Sequence, residues 1–200
     1  MSHLTTIRLE VVDLQALIAA LRDRYGAVVE VFGRPQRRRV SWRTDAPVHA
    51  YVPPEAFGGR YNAGIGVVVA DGRIRLLTDD ANAGEIPAIR RAYALRIADD
   101  DLTARGFARA AADETLPDGT VRRVYVPADG APAPRVVVTV EPDGTVRLTV
   151  EGMSGMGCLP LTADLVERLG GAAETTLTAD AYADAESASA WDWAKERSDA

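Results

Sequence analysis

The apolar and polar positions of this chain change period several times, and each change marks an element. Thr5 to Val11 alternates weakly, as a half-buried strand does. From Leu14 the apolar residues fall at helical spacing (Leu14, Leu17, Ile18, Leu21), and Asp13 stands where an N-cap is wanted. Gly26 stops that helix after Tyr25, and Ala27 to Phe32 reads as the next strand, a β-α-β opening. Ile65 to Ala70 and Arg73 to Thr78 flank Asp71-Gly72, a pair suited to a type I′ hairpin turn. Glu85 to Arg105 places Ile86, Ile89, Tyr93 and Ile97 on one helical stripe, and Gly106 ends it.

Two more hairpins follow. One joins Phe107–Thr115 to Val121–Val126 around Pro117-Asp118-Gly119; the other joins Arg135–Val140 to Thr145–Glu151 around Pro142-Asp143-Gly144. The string Pro-Asp-Gly-Thr-Val-Arg occurs in both, and shared turn chemistry accounts for so short a match. Thr162 is placed to cap a helix from Ala163 to Leu169, and Thr178 a last turn through Tyr182. Between Gly33 and Arg60 the pattern is broken by Pro35, Pro47, Pro53, Pro54, Gly58 and Gly59. That stretch predicts irregular chain with short strands near Val40–Trp42 and Val48–Val52.

Residues 128–134 are rich in Pro, Gly and Ala and read as a linker. Before them arginines and acids nearly balance; after them acids dominate, opposed only by Arg135, Arg147, Arg168, Lys195 and Arg197. The expected fold class is α+β, as two small modules (1–127 and 135–182) with mixed or antiparallel sheets, hairpins and a few packed helices. Residues 183–200 form an acidic tail, too polar for a core except at Trp191 and Trp193.

Charge and cysteine narrow the function classes. A net charge of -6 over 200 residues argues against wholesale nucleic-acid binding. No apolar run is long enough to span a bilayer, and Met1 to Glu10 lacks a signal-peptide pattern. The single cysteine, Cys158, fits a reducing compartment, so the expected location is cytoplasmic, with no membrane partner.

Candidate chemistry is sparse. Cys158 follows a glycine loop and is the candidate thiol, although Pro160 and Thr162 set the expected helix start beyond it. His3 and His49 have neither a second cysteine nor a ligand-type spacing, so no metal is assigned. Asp79-Asp80 and Asp99-Asp100-Asp101 read as solvated acids, and the glycines at 152, 155 and 157 lack the Lys-Ser/Thr ending of a phosphate loop. No catalytic residue and no cofactor are assigned. The one basic patch, residues 34–43, joins Arg37, Arg38 and Arg39 to Trp42 and suits an acidic protein surface or, as an alternative, nucleic acid. Met153, Met156, Trp191 and Trp193 complete the expected partner-binding set.

The opening Met-Ser-His-Leu-Thr-Thr-Ile, Asp13 with the Leu17/Leu21 helix, the Gly66–Asp79 hairpin, the Tyr93 helix and Gly106-Phe107 resemble an uncharacterised family. It was first named as a hypothetical chloroplast reading frame and is catalogued as domain of unknown function twelve fifty-seven. Glu141-Pro142-Asp143-Gly144, Glu151-Gly152, Gly157-Cys158, Thr162–Gly170 and Leu177-Thr178 resemble a second family, domain of unknown function twenty-nine ninety-seven. Members of both tend to be encoded beside AAA+ ATPases, some in bacterial defence clusters. The resemblances therefore imply a non-catalytic adaptor for a partner protein such as an AAA+ ATPase. The alternatives are a thiol-dependent enzyme centred on Cys158 and nucleic-acid binding through residues 34–43.

Overall fold

The structure, a computed structural model, describes residues 3–131, 134–152, 158–170 and 173–177. Three α-helices are described: α1 (Leu14–Tyr25), α2 (Glu85–Ala104) and α3 (Cys158–Arg168). Asp13 caps α1 as its sequence demands, its carboxylate accepting from the amides of Gln15 at 2.9 Å and Ala16 at 3.0 Å. Gly26, at φ 77°, ends the helix in a conformation that costs a residue with a Cβ.

The strands form two antiparallel sheets, giving the α+β class. The larger holds β1 (His3–Arg8), β6 (Phe107–Arg109), β7 (Glu114–Thr115), β8 (Val121–Pro127), β9 (Arg135–Val140), β10 (Thr145–Glu151) and β11 (Ala173–Leu177). Its order is β11-β1-β10-β9-β8-β6, with β7 also paired to β8. The smaller sheet runs β2 (Glu30–Ser41), β3 (Thr44–Val52), β4 (Ile65–Ala70) and β5 (Arg73–Leu77). The β1-α1-β2 opening therefore does not pair β1 with β2; the two strands enter different sheets.

Register aligns the valines of the larger sheet into one face. Ile7 lies opposite Val146, Val146 opposite Val140, and Leu148 opposite Val138. Those side chains are fully buried together with Ile89, Tyr93 and Ile97 of α2. The same cluster takes in Leu17 and Leu21 of α1 and Ala50, Val52, Ile65 and Val67 of the smaller sheet. Each such Val, Leu or Ile contributes roughly 1.5–3 kcal/mol by leaving water.

This packing crosses the boundary expected at 128–134. β1, from the expected first module, lies between β10 and β11 of the second. β8 and β9, on either side of residues 128–134, are neighbours in one sheet, with Tyr125 opposite Val136. The Pro/Gly/Ala composition thus belongs to a strand-to-strand connection, for which the same turn residues are wanted.

The broken stretch after Gly33 is the largest departure from the sequence pattern. β2 and β3 form one long hairpin turning at Trp42-Arg43. Its register slips between Val31 and Gln36, where Phe32-Gly33-Arg34-Pro35 bulge out of β2, so Pro35 falls where a missing amide does no harm. Beyond the bulge the hairpin folds over β4. The Gly64 amide donates to the Arg39 carbonyl at 2.9 Å, and the Tyr51 hydroxyl donates to the same carbonyl at 2.9 Å. Gly66 has no Cβ because one there would meet Val48 Cγ1 at 2.5 Å and Val40 Cγ1 at 2.8 Å. A second small core of Val40, Ala46, Val48 and Tyr51, with Phe32, Val68 and Leu77 against it, fills the contact.

α3 also begins earlier than its expected cap. The helix starts at Cys158, which places Pro160 in the first turn, where it needs no amide, and Thr162 inside the helix, buried. The expected turn from Thr178 to Tyr182 and the tail 183–200 lie outside the described residues. No helix among the described residues is long and apolar enough to cross a membrane.

Candidate functional site

Among the described residues, two places gather polar side chains of interest. The first is a cleft of about 520 Å³ between α1, α2 and the β6/β8 edge, lined by Asp23, Arg24, Arg96, Asp99, Arg109 and Arg123 among others. Pairing directs Arg123 to the face of β8 that carries Tyr125, beneath α2. There its guanidinium donates from Nε and Nη2 to the two Asp113 oxygens at 2.6 and 2.5 Å, and from Nη1 to Asp99 Oδ2 at 2.7 Å. Asp99 accepts again from the Tyr125 hydroxyl at 2.8 Å and from both Nε and Nη2 of Arg109.

The electrostatics follow from this closure. Burial opposes ionisation of Asp99, but the hydrogen bonds from Arg109 and Tyr125 and the neighbouring guanidinium charges outweigh it and hold its carboxyl below the usual range. Burial pushes the Tyr125 phenol up, and its bond to the Asp99 carboxylate pushes it further. With every acid in the network answered by an arginine, the cleft fastens α2 to the sheet. Asp101, buried, accepts from Arg105 Nε at 2.9 Å and faces Arg168 Nη1 at 3.6 Å, while Arg105 also holds Asp164 of α3. The Asp99-Asp100-Asp101 run was expected to be solvated; two of its three members turn inward because the helix period carries 99 and 101 to faces that meet arginines from elsewhere. Sequence spacing gave no sign of Asp113 or Arg123, whose partners lie 10 and 24 residues away.

The second place is the folded-over hairpin. Arg38 turns inward, its Cζ 4.6 Å from the Phe32 ring centroid and its Nη2 2.6 Å from Glu30. Arg39 pairs with Asp45 at 2.8 Å, and Arg37 donates to the Asp45 carbonyl. Of the three arginines in the expected patch, Arg38 and Arg39 are thus paired to acids within the hairpin. Trp42 stays 52% exposed at the tip, with the Arg43 guanidinium 3.7 Å from its ring centroid. Asp79 steadies this tip, accepting from the Trp42 amide at 3.4 Å and from Ala81 at 3.1 Å, so it is a cap and not only a solvated acid.

His49 has a structural task. β3 leaves β4 after Ala50 pairs with Val67, which strands the Val69 amide, and His49 Nδ1 accepts it at 3.1 Å. The side chains of His3 and Cys158, and the whole of Met153, Met156, Trp191 and Trp193, lie outside the described residues. Among the described residues no cluster of His, Cys, Asp and Glu could hold a metal ion.

Residues 136–182 match the model of a family described as a protein of unknown function (DUF2997). The C-terminal resemblance is thereby shown. The match runs through β9, β10, α3 and β11. No curated protein and no solved structure matches the chain.

Proposed function

We propose that this protein is a non-catalytic adaptor that binds a partner protein, an AAA+ ATPase of a bacterial defence or conflict system, from a cytoplasmic location. The observation that carries the reading is the hairpin tip. An exposed tryptophan stacked by an arginine, held at the end of a braced arm, has the composition of an interface anchor. The bulge, Gly64, Tyr51 and Asp79 fix that arm before any partner arrives, so little ordering is left for binding to oppose. The saturation of the Asp99–Arg123 cleft by its own ion pairs favours a fastening role there over proton transfer. The ATPase is named from the family resemblances, of which the N-terminal one, to the chloroplast reading frame family, is carried as part of this proposal.

Co-purification from the native cell tests it. The unaltered chain is expected to retain an AAA+ ATPase, and the Trp42→Ala/Arg37→Glu variant to lose it at an unchanged melting temperature. Recovery of no ATPase, or equal recovery with the variant, overturns the reading.

A further inference from the structure

β5 is an edge of the smaller sheet: it pairs with β4 and with no other strand among the described residues. Its hairpin turns through Asp71-Gly72, both at positive φ (52° and 72°), so Ala70 and Arg73 form the hydrogen-bonded pair next to the turn. Alternation then turns the backbone N–H and C=O of Ile74 and Leu76 away from β4, toward the free edge. The Val69 amide agrees with this phase: Val69 is the partner of Ile74, and its N–H points the other way, to His49. Beside the free edge runs a groove of about 490 Å³ between β5, residues 9–12 and the start of α2.

The two faces of β5 ask for different things. Ile74 and Leu76, half-buried, share the inward face with Ile86 close by, and Val12 lines the groove while 52% exposed. Arg73 and Arg75 share the outward face, exposed, and have no ion pair among the described residues. An occupant must therefore be extended, apolar at alternate positions, and acidic between them.

We infer that this edge is covered by a segment of the chain itself, Trp191-Asp192-Trp193, added to β5 as a strand. In extended chain both tryptophans fall on one face and Asp192 on the other. That sets the rings against Ile74 and Leu76 and the carboxylate between Arg73 and Arg75. The surrounding residues 178–200 hold six acids against Lys195 and Arg197, opposite in sign to the groove. Reach is sufficient. The last described strand ends at Leu177, opposite His3, about 20 Å along β1 from residue 9 at ~3.3 Å per residue. The 14 residues from there to Trp191 span up to about 46 Å at the same rise. This inference concerns a different surface from the Trp42 tip and stands or falls separately from the adaptor reading.

Residue-resolved amide hydrogen exchange on the full chain tests it. The Ile74 and Leu76 amides, which have no partner in β4, are expected to exchange more than about tenfold slower than in the Trp191→Ala/Trp193→Ala full-length variant. Arg73→Glu/Arg75→Glu is expected to release the same two amides. The Arg75 and Val68 amides, paired within the hairpin, stay protected throughout and report that the fold is intact. Fast exchange at Ile74 and Leu76 in the unaltered chain overturns the inference. So does protection that survives the tryptophan substitutions, or protection that fades on dilution, which would mark a second copy as the occupant.

Discussion

The two sheets are tied down by opposite means. Over the larger sheet, α2 is fastened by charge: Arg123, 6% exposed, spans Asp113 and Asp99, and Tyr125 and Arg109 close the remaining lone pairs. In the smaller sheet the ion pairs of the β2–β3 hairpin stay within the hairpin, and its hold on the β4 side is by neutral contacts: the Arg39 carbonyl taking the Gly64 amide, a histidine nitrogen serving a stranded amide, and a glycine that lets two valines approach. Each device has its own weak point. A buried ion pair fails when one partner is lost, because the survivor is left charged and dry. A close-packed approach fails when a single methyl is added.

Removing three strands of the larger sheet should have the largest effect. A chain ending at Ala128 loses β9, β10, α3 and β11 and strips β1 of its neighbours, so it is expected to show no cooperative unfolding transition by circular dichroism. A cooperative melt would restore the two-module reading of the sequence. Next in size, Arg123→Ala should cost about 3–5 kcal/mol in urea unfolding, since Asp113 and Asp99 lose the guanidinium they share. Gly66→Ala should cost about 1–3 kcal/mol, with chemical shifts moving at Val40 and Val48 and not at Val138.

The smallest effects appear with pH. The Asp99 carboxyl is held below its unfolded value of about 3.9, so its contribution is present above that pH and is lost as pH falls through the folded value. Asp99→Asn should flatten that acid limb of the stability profile. At the other end, burial and the bond to Glu85 push Tyr25 up to about 12. Its neutral form is favoured in the fold, so its contribution is complete below about 10 and is lost as pH rises through about 12. Tyr25→Phe should remove that alkaline limb and cost about 1 kcal/mol at neutral pH.

Local signals carried the sequence reading far. Asp13, the Asp71-Gly72 turn, the α2 stripe and the Pro-Asp-Gly turn at 142–144 all stand where spacing put them, because caps and tight turns are decided by neighbours in sequence. What failed was long-range. Prolines and glycines at 33–60 suggested irregular chain with short strands near Val40–Trp42 and Val48–Val52; those strands fall at the end of β2 and within β3, but a bulge absorbs Pro35 and the two join in one long hairpin. Gly66 gave no hint that a distant valine needed its space. The Asp99–Arg123 fastening joins segments that only the fold brings together, so charge runs alone could not separate solvated acids from buried ones. The hairpin tip was partly legible: Trp42 and its arginines stood out, but the acid that neutralises Arg38 lies eight residues back in the same strand, beyond the bulge, and the one that neutralises Arg39 lies across the turn in β3.

The position of β1 bears on the order of events during synthesis. Its partner strand β10 begins more than 130 residues later, and β11 later still. A chain emerging from the ribosome can close the β2–β3 and β4–β5 hairpins early, since their strands are adjacent. β1 must wait for both of its partners until these later segments have been delivered. Through that interval Ile7 and its neighbours form an open strand edge, the kind of surface that chaperones hold and that aggregation captures. Slow closure by non-local pairing is therefore built into this topology, whatever the final stability.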